Sequence, residues 1–511
     1  MNVGRLLART AHRVPERPAV VWGDTVVTYR GLNERVNRLV NALHGLGLRT
    51  GDRVATVSQN RPELLEVMFA CFRAGFVLVP MNTRLHPDEH AYILRHSEAA
   101  ALVYGDAFHD IWAATHGTVG SLTHGLTLGG PDSSYERAVA SAKSSDPSED
   151  LPDDAPAWLF YTSGTTGRPK GATLTQRNLL ALVRNLLTDI NPVEPDDVLL
   201  HVGPLSHASG LCAPHHIVRG ATHVILKHVA FDPRLVLDAI ARHRVTTMFM
   251  VPTMIVALLD ALGASRDDRS SLRTIIYGGA PMSVARLREG LERLGSVFVQ
   301  LYGQGEAPHT LTVLPKHEHT DGAASGVRSR LASAGRECTA VEVRIVDNDD
   351  RAVPCGTVGE IVARGDIVMR GYWNDAPASA ETLRGGWLHT GDLGYLDEQG
   401  YLFLTDRKKD VIISGGMNVY SREVEDAICL HPDVGEAAVI GVPDPYWGES
   451  IKAFVVLRAG ASVSEAAIVD ACRAHLASYK KPRFVEFVRE LPKGATGKIL
   501  KRALKGQAGD R

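Results

Sequence analysis

Apolar residues near the start of the chain recur at the spacings of helices and buried strands. A predicted β-hairpin at 19–29, with Gly23-Asp24 at its turn, precedes a stretch at 32–46 whose apolar residues repeat at helical spacing. Further along, short apolar runs alternate with helical stretches; the runs are 54–57, 77–79 and 101–104. Because strands buried on both faces are almost continuously apolar, this alternation predicts a layered α/β unit.

A polar, proline-containing segment at 141–154 interrupts this pattern and predicts a surface linker. From Ala157 the alternation resumes, which predicts a second α/β unit. The predicted strands of that unit are 198–201, 222–226, 246–250, 274–277 and 297–300.

The remainder of the chain has a different pattern. Residues 341–404 form short alternating runs separated by Gly, Pro and Asp, which predicts a small β-rich module. Beyond Asp410 the pattern predicts a small α+β domain, with strands at 438–442 and 453–457 and a helix at 465–477.

The charged joint at 405–410 separates these two parts. We therefore predict an α/β protein whose large N-terminal domain, residues 1–406, contains two layered α/β subdomains and the β-rich module. The small α+β C-terminal domain would comprise residues 407–511.

Composition narrows the function classes. The 511 residues are 44% hydrophobic, which is enough for full cores, and Lys+Arg 56 against Asp+Glu 58 leaves a formal charge of -2. No global basic field therefore favours nucleic acid or an anionic membrane, and small molecules are the expected partners. Six scattered cysteines without a C-x-x-C pair argue against a disulfide framework or a zinc site.

No stretch predicts a signal peptide or a membrane span, so we expect a cytoplasmic protein. Its oligomeric state, monomer or homodimer, is left open by the sequence.

The run YTSGTTGRPKG, from Tyr161 to Gly171, directly follows the apolar run 157–160. Its glycines let successive backbone N–H groups converge on an anion, its hydroxyls add donors, and Lys170 adds a positive charge. This combination predicts a cradle for the phosphates of a nucleotide. A flexible linker is the alternative, and an ordinary P-loop is disfavoured because Pro169 stands where that motif requires Gly-Lys.

Five further motifs accompany the cradle: PLSHASG at 204–210, YGGAP at 277–281, LYGQGE at 301–306, WLHTGDLG at 387–394 and LPKGATGK at 491–498. In this order, and over nearly the whole chain, the motifs resemble the adenylate-forming superfamily of acyl-CoA synthetases, non-ribosomal adenylation domains and luciferases. The resemblance implies a small mobile C-terminal domain over a cleft that binds ATP, a carboxylic acid and a thiol. The carboxylate would attack the α-phosphorus of ATP, and the thiol would then displace AMP.

The resemblance also implies a role for each nucleotide-binding residue. The triphosphate would be held by Thr162, Ser163, Gly164, Thr165, Thr166, Gly167 and Lys170. The adenine would lie on Gly279, Ala280, Pro281 and Tyr302, with the Tyr302 ring stacked on the base. Other residues of the ATP site would be Gly303, Gln304 and Gly305. Asp392 would accept hydrogen bonds from the ribose, with Arg407 as its companion, and Glu306 would bind Mg²⁺.

The remaining roles implied by the resemblance concern catalysis and the thiol. Lys498 would be the adenylation lysine, and Lys409 the hinge about which the small domain turns. The pantetheine tunnel of coenzyme A would be lined by Ser414, Gly415 and Gly416. His207 would lie beside the carboxylate as a gating residue, with a buried structural histidine as the alternative.

The chain departs from the resemblance at one site position. The family motif reads Tyr-Gly-x-Thr-Glu, whereas this chain has Gly305 in place of the threonine, whose hydroxyl is implied to bind the α-phosphate. Losing one hydrogen bond to a charged group costs about 1.5 to 3 kcal/mol. We hypothesise that adenylation is weakened more than thioester formation and that the protein accepts an acyl-adenylate made by a separate enzyme. The alternative is a harmless variant, compensated by Thr165, Thr166 or a water.

The acyl pocket implied by the resemblance would be walled by Leu205, Ala208, Ser209, Gly210, Val251, Met254 and Gly278. Small residues in these stretches predict room for a bulky or extended apolar acid. The absence of Arg and Lys from the same stretches argues against a second carboxylate on the substrate. Nearby histidines at 201, 215, 216, 223 and 228 lack the spacing of a metal site.

The leading interpretation is an acid–thiol ligase of the acyl-CoA synthetase type that uses ATP or an acyl-adenylate, Mg²⁺ and coenzyme A. A stand-alone adenylating enzyme that loads a carrier protein is one alternative. A non-catalytic nucleotide-binding scaffold is the other.

Overall fold

A computed structural model describes residues 2–162, 168–227, 230–262, 268–280, 282–319, 329–408, 410–414, 417–494 and 499–509. The strands are β1 Pro18–Trp22, β2 Thr25–Thr28, β3 Arg53–Val57, β4 Val77–Pro80, β5 Ala99–Gly105, β6 His124–Leu128, β7 Pro156–Thr162, β8 Lys170–Thr175, β9 Val198–His201, β10 Thr222–Ile225, β11 Thr247–Met250, β12 Thr274–Tyr277, β13 Phe298–Gln304, β14 Ala307–Leu314, β15 Arg336–Glu337, β16 Val341–Val346, β17 Gly359–Gly365, β18 Leu388–Leu396, β19 Leu402–Arg407, β20 Ile412–Ser414, β21 Met417–Val419, β22 Val434–Asp444, β23 Gly448–Leu457 and β24 Phe484–Phe487.

The helices are α1 Arg5–Arg13, α2 Tyr29–Gly45, α3 Pro62–Ala74, α4 Pro87–His96, α5 His109–Thr115, α6 Ser134–Ser141, α7 Gln176–Asn185, α8 Ala208–Leu211, α9 Ala213–Arg219, α10 Pro233–His243, α11 Pro252–Leu262, α12 Val284–Leu294, α13 Ala376–Thr382, α14 Ser421–Ile428, α15 Glu465–His475 and α16 Lys501–Gly509. Within the described ranges, none of these helices combines the length and the apolar character needed to cross a membrane.

The predicted hairpin and helix near the start of the chain are confirmed, and local chemistry explains them. β1 and β2 pair antiparallel around Gly23, whose φ of 62° lies in the left-handed region that glycine tolerates. The hydroxyl of Thr28 accepts a hydrogen bond from the Gly31 N–H at 3.1 Å and so caps the start of α2. The face of α2 that turns inward is made of Leu32, Val36, Leu39, Val40 and Leu43, all buried.

Two large sheets carry the site. In the described part of the chain, the first has the order β15-β14-β13-β12-β11-β9-β10-β1-β2 and the second the order β6-β5-β3-β4-β7-β8. Their central strands are parallel, as expected for strands buried between layers of helices.

The sheets do not follow the predicted division at the linker 141–154. The N-terminal hairpin pairs through β1 with β10, so it joins the sheet built from later residues. Conversely, β7 and β8 follow the linker but complete the sheet of the earlier residues, next to β4. The two α/β subdomains therefore exchange strands, because pairing depends on long-range packing that a local pattern does not contain.

The β-rich module is confirmed as an antiparallel sheet of order β16-β17-β18-β19. The C-terminal part forms its own sheet, in which β21, β20, β23 and β22 are neighbours and β24 pairs parallel with β23. Its apolar core is separate and includes Val424, Ile428, Val439, Val455 and Ile468. The predicted α/β class with a large N-terminal and a small C-terminal domain is thereby confirmed, whereas the boundary at 406/407 stays a prediction.

Candidate active site

Three side chains from three strands meet beside the carboxyl end of β13. The Tyr302 hydroxyl donates to Asp392 Oδ2 at 2.9 Å, and Arg407 Nε lies 3.4 Å from Asp392 Oδ1. Asp392 and Arg407 are direct partners across β18 and β19. Burial, followed by the negative charge of Asp392, raises the pKa of Tyr302 well above its ordinary value, so the tyrosine stays a neutral donor. A carboxylate held in this way keeps lone pairs free for further donors such as the hydroxyls of a ribose.

Next to this group, the end of β12 forms an open shelf. Gly278 is buried, whereas Gly279 is exposed and has a φ of 80°, a conformation that favours glycine. Gln304 links the shelf side to β18 through a hydrogen bond from its Nε2 to the Thr390 carbonyl at 3.3 Å. Ala280 follows the shelf, and Pro281 lies outside the described residues.

Glu306 occupies a polar pocket between β7 and the segment before α13. Its Oε1 accepts hydrogen bonds from Thr162 Oγ1 at 3.1 Å and from the Tyr372 hydroxyl at 2.8 Å. The Glu306 carbonyl accepts from the Met369 N–H at 2.8 Å, which fixes the backbone. For Oε2, the described residues supply no hydrogen bond, so one carboxylate oxygen is left for a hard cation.

The predicted phosphate cradle is the connection of a tight antiparallel hairpin. Thr162 at the end of β7 pairs directly with Lys170 at the start of β8. Lys170 Nζ lies 5.0 Å from the ring centroid of Tyr372, so its charge is next to the Glu306 pocket. The residues of the connection itself, Ser163, Gly164, Thr165, Thr166 and Gly167, lie outside the described residues.

The position of Gly305 is already filled by neighbouring side chains. A Cβ atom added there would lie 2.5 Å from Thr162 Cγ2 and 2.7 Å from Phe160 Cδ1. Carbon atoms in contact are normally about 3.5 to 4.0 Å apart. The absence of a side chain at this position therefore leaves no gap.

His207 is half-buried beside Phe160. Its ring meets that of Phe160 at a centroid distance of 5.3 Å and an angle of 68°, and its Nδ1 lies 3.2 Å from Ser206 Oγ. Burial lowers the pKa of His207 to about 4, so the imidazole is neutral at ordinary pH. His309, whose pKa is also lowered to about 4 by burial, is its titratable neighbour on β14.

The predicted acyl-pocket residues gather around the start of α8 and the end of β11. Leu205, Ser209 and Gly210 are buried, whereas Ala208, Val251 and Met254 are half-buried. The expectation that the glycines leave room is wrong for two of them. A Cβ added at Gly210 would lie 1.9 Å from the Leu205 carbonyl oxygen. One added at Gly278 would lie 2.6 Å from the Leu301 carbonyl oxygen. These two glycines permit close backbone packing, whereas an added Cβ at Gly279 would have its nearest contact at 3.8 Å.

A cavity of about 80 Å³ lies beside the loop that carries these residues. Asn60 lines it and fixes the loop, because its Nδ2 donates to the Gly203 carbonyl and its Oδ1 accepts from the Leu205 N–H, both at 2.8 Å. Arg84 and Met254 also line the cavity.

The histidines singled out near this loop form a buried cluster. Ser209 Oγ lies 2.7 Å from His201 Nδ1, and His201 Nε2 lies 3.0 Å from His223 Nδ1. The rings of His215 and His216 are 4.1 Å apart, and burial lowers the pKa of all four histidines. Among the described residues, no group of three or more His, Cys, Asp or Glu side chains has the geometry of a metal site. His228 lies outside them.

The C-terminal residues of the prediction are described only in part. Ser414 ends β20 and pairs with Met417 and with Gly448. Lys409, Gly415, Gly416 and Lys498 lie outside the described residues. The structure therefore brings together Tyr302, Asp392, Arg407, Glu306 and Thr162, and it does not describe the adenylation lysine.

Sequence reasoning missed Phe160, Tyr372 and Asn60, although they contact the predicted site residues His207, Glu306 and Leu205, respectively. Phe160 reads as an ordinary strand residue, and Tyr372 and Asn60 belong to no motif. Their contacts join residues 47 to 145 positions apart in sequence. No local signal in the sequence could have identified them.

The chain is similar to known proteins over nearly its whole length. The sequence model of the AMP-binding enzyme family matches residues 7–373, and that of the AMP-binding enzyme C-terminal domain matches residues 423–498. Feruloyl-CoA synthase from an Amycolatopsis species is 40% identical over 98% of this chain and 98% of that protein. The medium/long-chain-fatty-acid–CoA ligase FadD8 of Mycobacterium tuberculosis is 36% identical over 99% of this chain and 90% of that protein. ATP-bound MatB from Rhodopseudomonas palustris has a TM-score of 0.90 at 32% identity, covering 100% of this chain and 99% of that one.

Proposed function

Because the chain belongs to the AMP-binding enzyme family, we propose that it ligates a bulky or extended hydrophobic monocarboxylic acid to coenzyme A through an acyl-adenylate. The coarser part of this statement is established: the chain is an ATP-dependent ligase of acyl or aryl acids with coenzyme A. The reading as a non-catalytic scaffold is therefore not retained. Our proposal concerns the class of acid, the roles of the residues and the relative rates of adenylation and thioester formation.

The observation that carries the residue roles is that side chains from separate chain segments meet in two polar groups, one around Asp392 and one around Glu306. One polar group consists of Tyr302, Asp392 and Arg407, which are linked by hydrogen bonding and charge. Glu306 lies four residues beyond Tyr302, and its carboxylate accepts a hydrogen bond from the Thr162 hydroxyl. A hydroxyl-binding carboxylate beside a phosphate-binding hairpin suits a nucleotide. In this proposal Asp392 binds the ribose, the Tyr302 ring supports the adenine, and the hairpin 162–170 holds the β- and γ-phosphates.

Glu306 is suited to hold Mg²⁺, since it is a buried carboxylate with one oxygen free of hydrogen bonds from the described residues. Bound there, the cation would supply positive charge to the phosphate oxygens. Lys170 would add its charge from the other side of Tyr372.

In the first half-reaction, a carboxylate oxygen of the acid attacks the α-phosphorus and pyrophosphate leaves with the electron pair of the broken P–O bond. Lys498 would neutralise the charge that develops between the carboxylate and the α-phosphate. In the second half-reaction, the thiol sulfur attacks the acyl carbonyl and AMP leaves. We propose that the small domain turns about Lys409 between the two steps, so that Ser414, Gly415 and Gly416 line the path of pantetheine.

The proposed acid is apolar because the pocket wall offers it apolar and small side chains. Leu205, Val251 and Met254 are apolar, Ala208 is small, and Gly279 is a position with space in front of it. Among the named wall residues, Ser209 carries a hydroxyl, and it is engaged with His201. Lys and Arg are absent from the wall stretches, which favours a monocarboxylate. Because Arg84 lines the cavity beside Met254, dicarboxylates are the necessary comparison.

We also propose that adenylation is the weaker half-reaction and that the enzyme accepts a preformed acyl-adenylate from a separate adenylating enzyme. Gly305 has no hydroxyl to donate to the α-phosphate, and its surroundings leave no room for one. The lost bond to a charged group corresponds to about 1.5 to 3 kcal/mol, or roughly 10- to 150-fold in rate.

The test is a panel of acids and of the corresponding synthetic acyl-adenylates, assayed separately for the two half-reactions. Adenylation is followed by pyrophosphate exchange with the free acid, and thioester formation by chromatography after adding the acyl-adenylate and coenzyme A. We expect apolar monocarboxylates to be accepted and thioester formation to outpace adenylation. Rapid pyrophosphate exchange with the free acid would refute the weakened step, and a preference for dicarboxylates would refute the acid class.

A parallel reaction with a holo-carrier protein in place of coenzyme A decides between the two thiol acceptors. Coenzyme A is expected to give the faster thioester formation. A product found only on the carrier protein would replace the proposed function by that of a stand-alone loading enzyme.

A further inference from the structure

The ring of Phe160 lies at the contact between two predicted site residues. Residues 158, 160 and 162 alternate with their neighbours along β7, so their side chains point to the same face of the strand. On that face, Phe160 Cδ1 and Cε1 would lie 2.7 and 3.2 Å from a Cβ at position 305, and Thr162 Cγ2 would lie 2.5 Å from it. Two side chains of one strand therefore fill the space that Gly305 does not use.

The same ring also holds His207. The two rings meet edge to face, with centroids 5.3 Å apart and an angle of 68°. On the other side, the Phe160 ring lies against Trp158, with centroids 6.4 Å apart and an angle of 23°, and Trp158 is fully buried. Because the ring contacts Trp158, His207 and the space at Gly305, a shift that admits a side chain at 305 would change its contact with His207.

Thr162 is subject to the same constraint. Its methyl group is the atom nearest to position 305, and its hydroxyl donates to Glu306 Oε1. Both groups are branches of one Cβ atom, so turning the methyl group away also turns the hydroxyl away from Glu306.

We infer that Phe160 is a positioning residue of the ligase reaction, matched to Gly305: its ring replaces the missing side chain and fixes the imidazole of His207 at the reacting end of the acyl pocket. The inference rests on the proposed function for the role of His207. It further implies that restoring a threonine at 305 alone weakens the enzyme, although it restores a hydroxyl. The benefit of that hydroxyl depends on space that Phe160 and Thr162 occupy.

The steric part is tested with a cycle of four proteins. They are the unchanged chain, Gly305→Thr, the relieving pair Phe160→Val with Thr162→Ser, and all three changes together. The relieving pair removes the colliding carbon atoms, keeps the hydroxyl for Glu306 and retains a β-branched residue in the strand. We expect Gly305→Thr to lower the unfolding temperature and to slow pyrophosphate exchange about tenfold or more, as overpacking does. In the protein that carries the relieving pair, Gly305→Thr is expected to lower neither the unfolding temperature nor the rate of pyrophosphate exchange.

Equal losses caused by Gly305→Thr in both backgrounds, or no loss in the unchanged background, would overturn the steric match. Gly305→Ala serves as a milder second variant if the threonine protein does not fold, and the same ordering is expected. The unfolding temperatures are read without any substrate. A failure of the proposed function, seen as no thioester from any acid or acyl-adenylate, is therefore distinguishable from a failure of this inference.

The positioning role is tested with single variants of Phe160. Phe160→Val removes the ring edge from His207, and Phe160→Tyr keeps it. In the valine variant we expect kcat to fall by different factors in the two half-reactions, while KM for ATP is unchanged. The tyrosine variant is expected to keep the kcat values of the unchanged protein. If the valine variant lowers both half-reactions by one common factor together with the unfolding temperature, Phe160 is only a packing residue and the inference is wrong.

Discussion

Replacing Ser421 by proline is expected to change the balance between the two half-reactions. Ser421 is the first residue of α14, and both its backbone N–H and its Oγ donate to Asp406 Oδ2, at 2.5 and 2.8 Å. Asp406 lies on β19 of the β-rich module, so these bonds join the predicted large and small domains across the joint at 405–410. Lys501 on α16 reaches the same hydroxyl and also pairs with Glu425 at 2.7 Å.

Proline removes both donors and is otherwise well suited to this position. It is favoured at the first residue of a helix, where its ring sets the required φ, and α3, α4 and α10 of this chain begin with proline. The preceding residue, Tyr420, has φ -85° and ψ 119°, the extended conformation that a following proline requires. The substitution therefore removes the contacts with Asp406, together with the bond from Lys501, and is compatible with the start of the helix.

The size of the effect follows from the two hydrogen bonds. A bond to a charged group contributes about 1.5 to 3 kcal/mol. Because both donors share one oxygen, and because the half-exposed Asp406 regains water when it is released, we take about 2 kcal/mol for the pair, a factor of about 30. In the proline variant, the orientation of the small domain seen here should lose this amount of stabilising free energy relative to any orientation without the contact.

The assay measures pyrophosphate exchange and thioester formation from a synthetic acyl-adenylate for the unchanged protein, Ser421→Pro and Ser421→Ala. If the small domain turns between the steps, the ratio of the two rates shifts by about 30-fold in the proline variant, with one rate falling as the other rises or is maintained. The alanine variant keeps the backbone donor and should shift the ratio less. Unchanged rates, or two rates that fall by the same factor, would refute the reasoning.

Three further outcomes are expected. Lys498→Ala should abolish thioester formation from free acid, ATP and coenzyme A but preserve it from a synthetic acyl-adenylate; loss of both activities would contradict the assigned role. Asp392→Asn removes the charge paired with Arg407 and should weaken AMP binding in calorimetry by roughly 10-fold or more, so an unchanged affinity would contradict the ribose role. Burial lowers the pKa of His216 from 6.5 to about 4, so below pH 6.5 the unfolded chain binds more protons than the folded one. The free energy of unfolding should therefore decrease as the pH is lowered from 6.5 towards 4. At about pH 5 this one group accounts for about 2 kcal/mol of lost stability. Urea unfolding at about pH 8 and about pH 5 should therefore show a smaller loss of unfolding free energy in His216→Phe than in the unchanged protein. An equal loss in the two proteins would contradict this prediction.

The parts of the fold that the sequence predicted are those encoded locally. The repeat along α2, the turn at Gly23 and the short apolar runs at β3, β4 and β5 each need only neighbouring residues to form. Sheet membership does not have this property. β1 pairs with β10, some two hundred residues later, because both are short apolar strands and only the packed layers decide which strands meet.

The candidate site divides in the same way. Motifs pointed to Tyr302, Asp392 and Glu306, because the chemistry of a nucleotide site requires these residue types in recognisable surroundings. Tyr372 and Asn60 were missed, since a tyrosine that donates to a carboxylate and an asparagine that holds a loop can stand anywhere in a sequence. Their roles exist only once the chain is folded.

Glycines illustrate why a missing side chain cannot be interpreted from the sequence. Gly279 and Gly278 are adjacent, yet an added Cβ would have its nearest contact at 3.8 Å at the first and would collide with a carbonyl oxygen at 2.6 Å at the second. One glycine therefore leaves space for a ligand, and the other allows two backbones to touch. Gly305 is a third case, because side chains of β7 have taken its space. The effect of this departure on adenylation is consequently a property of the group formed by Gly305, Phe160 and Thr162, and substitution of the glycine alone cannot measure it.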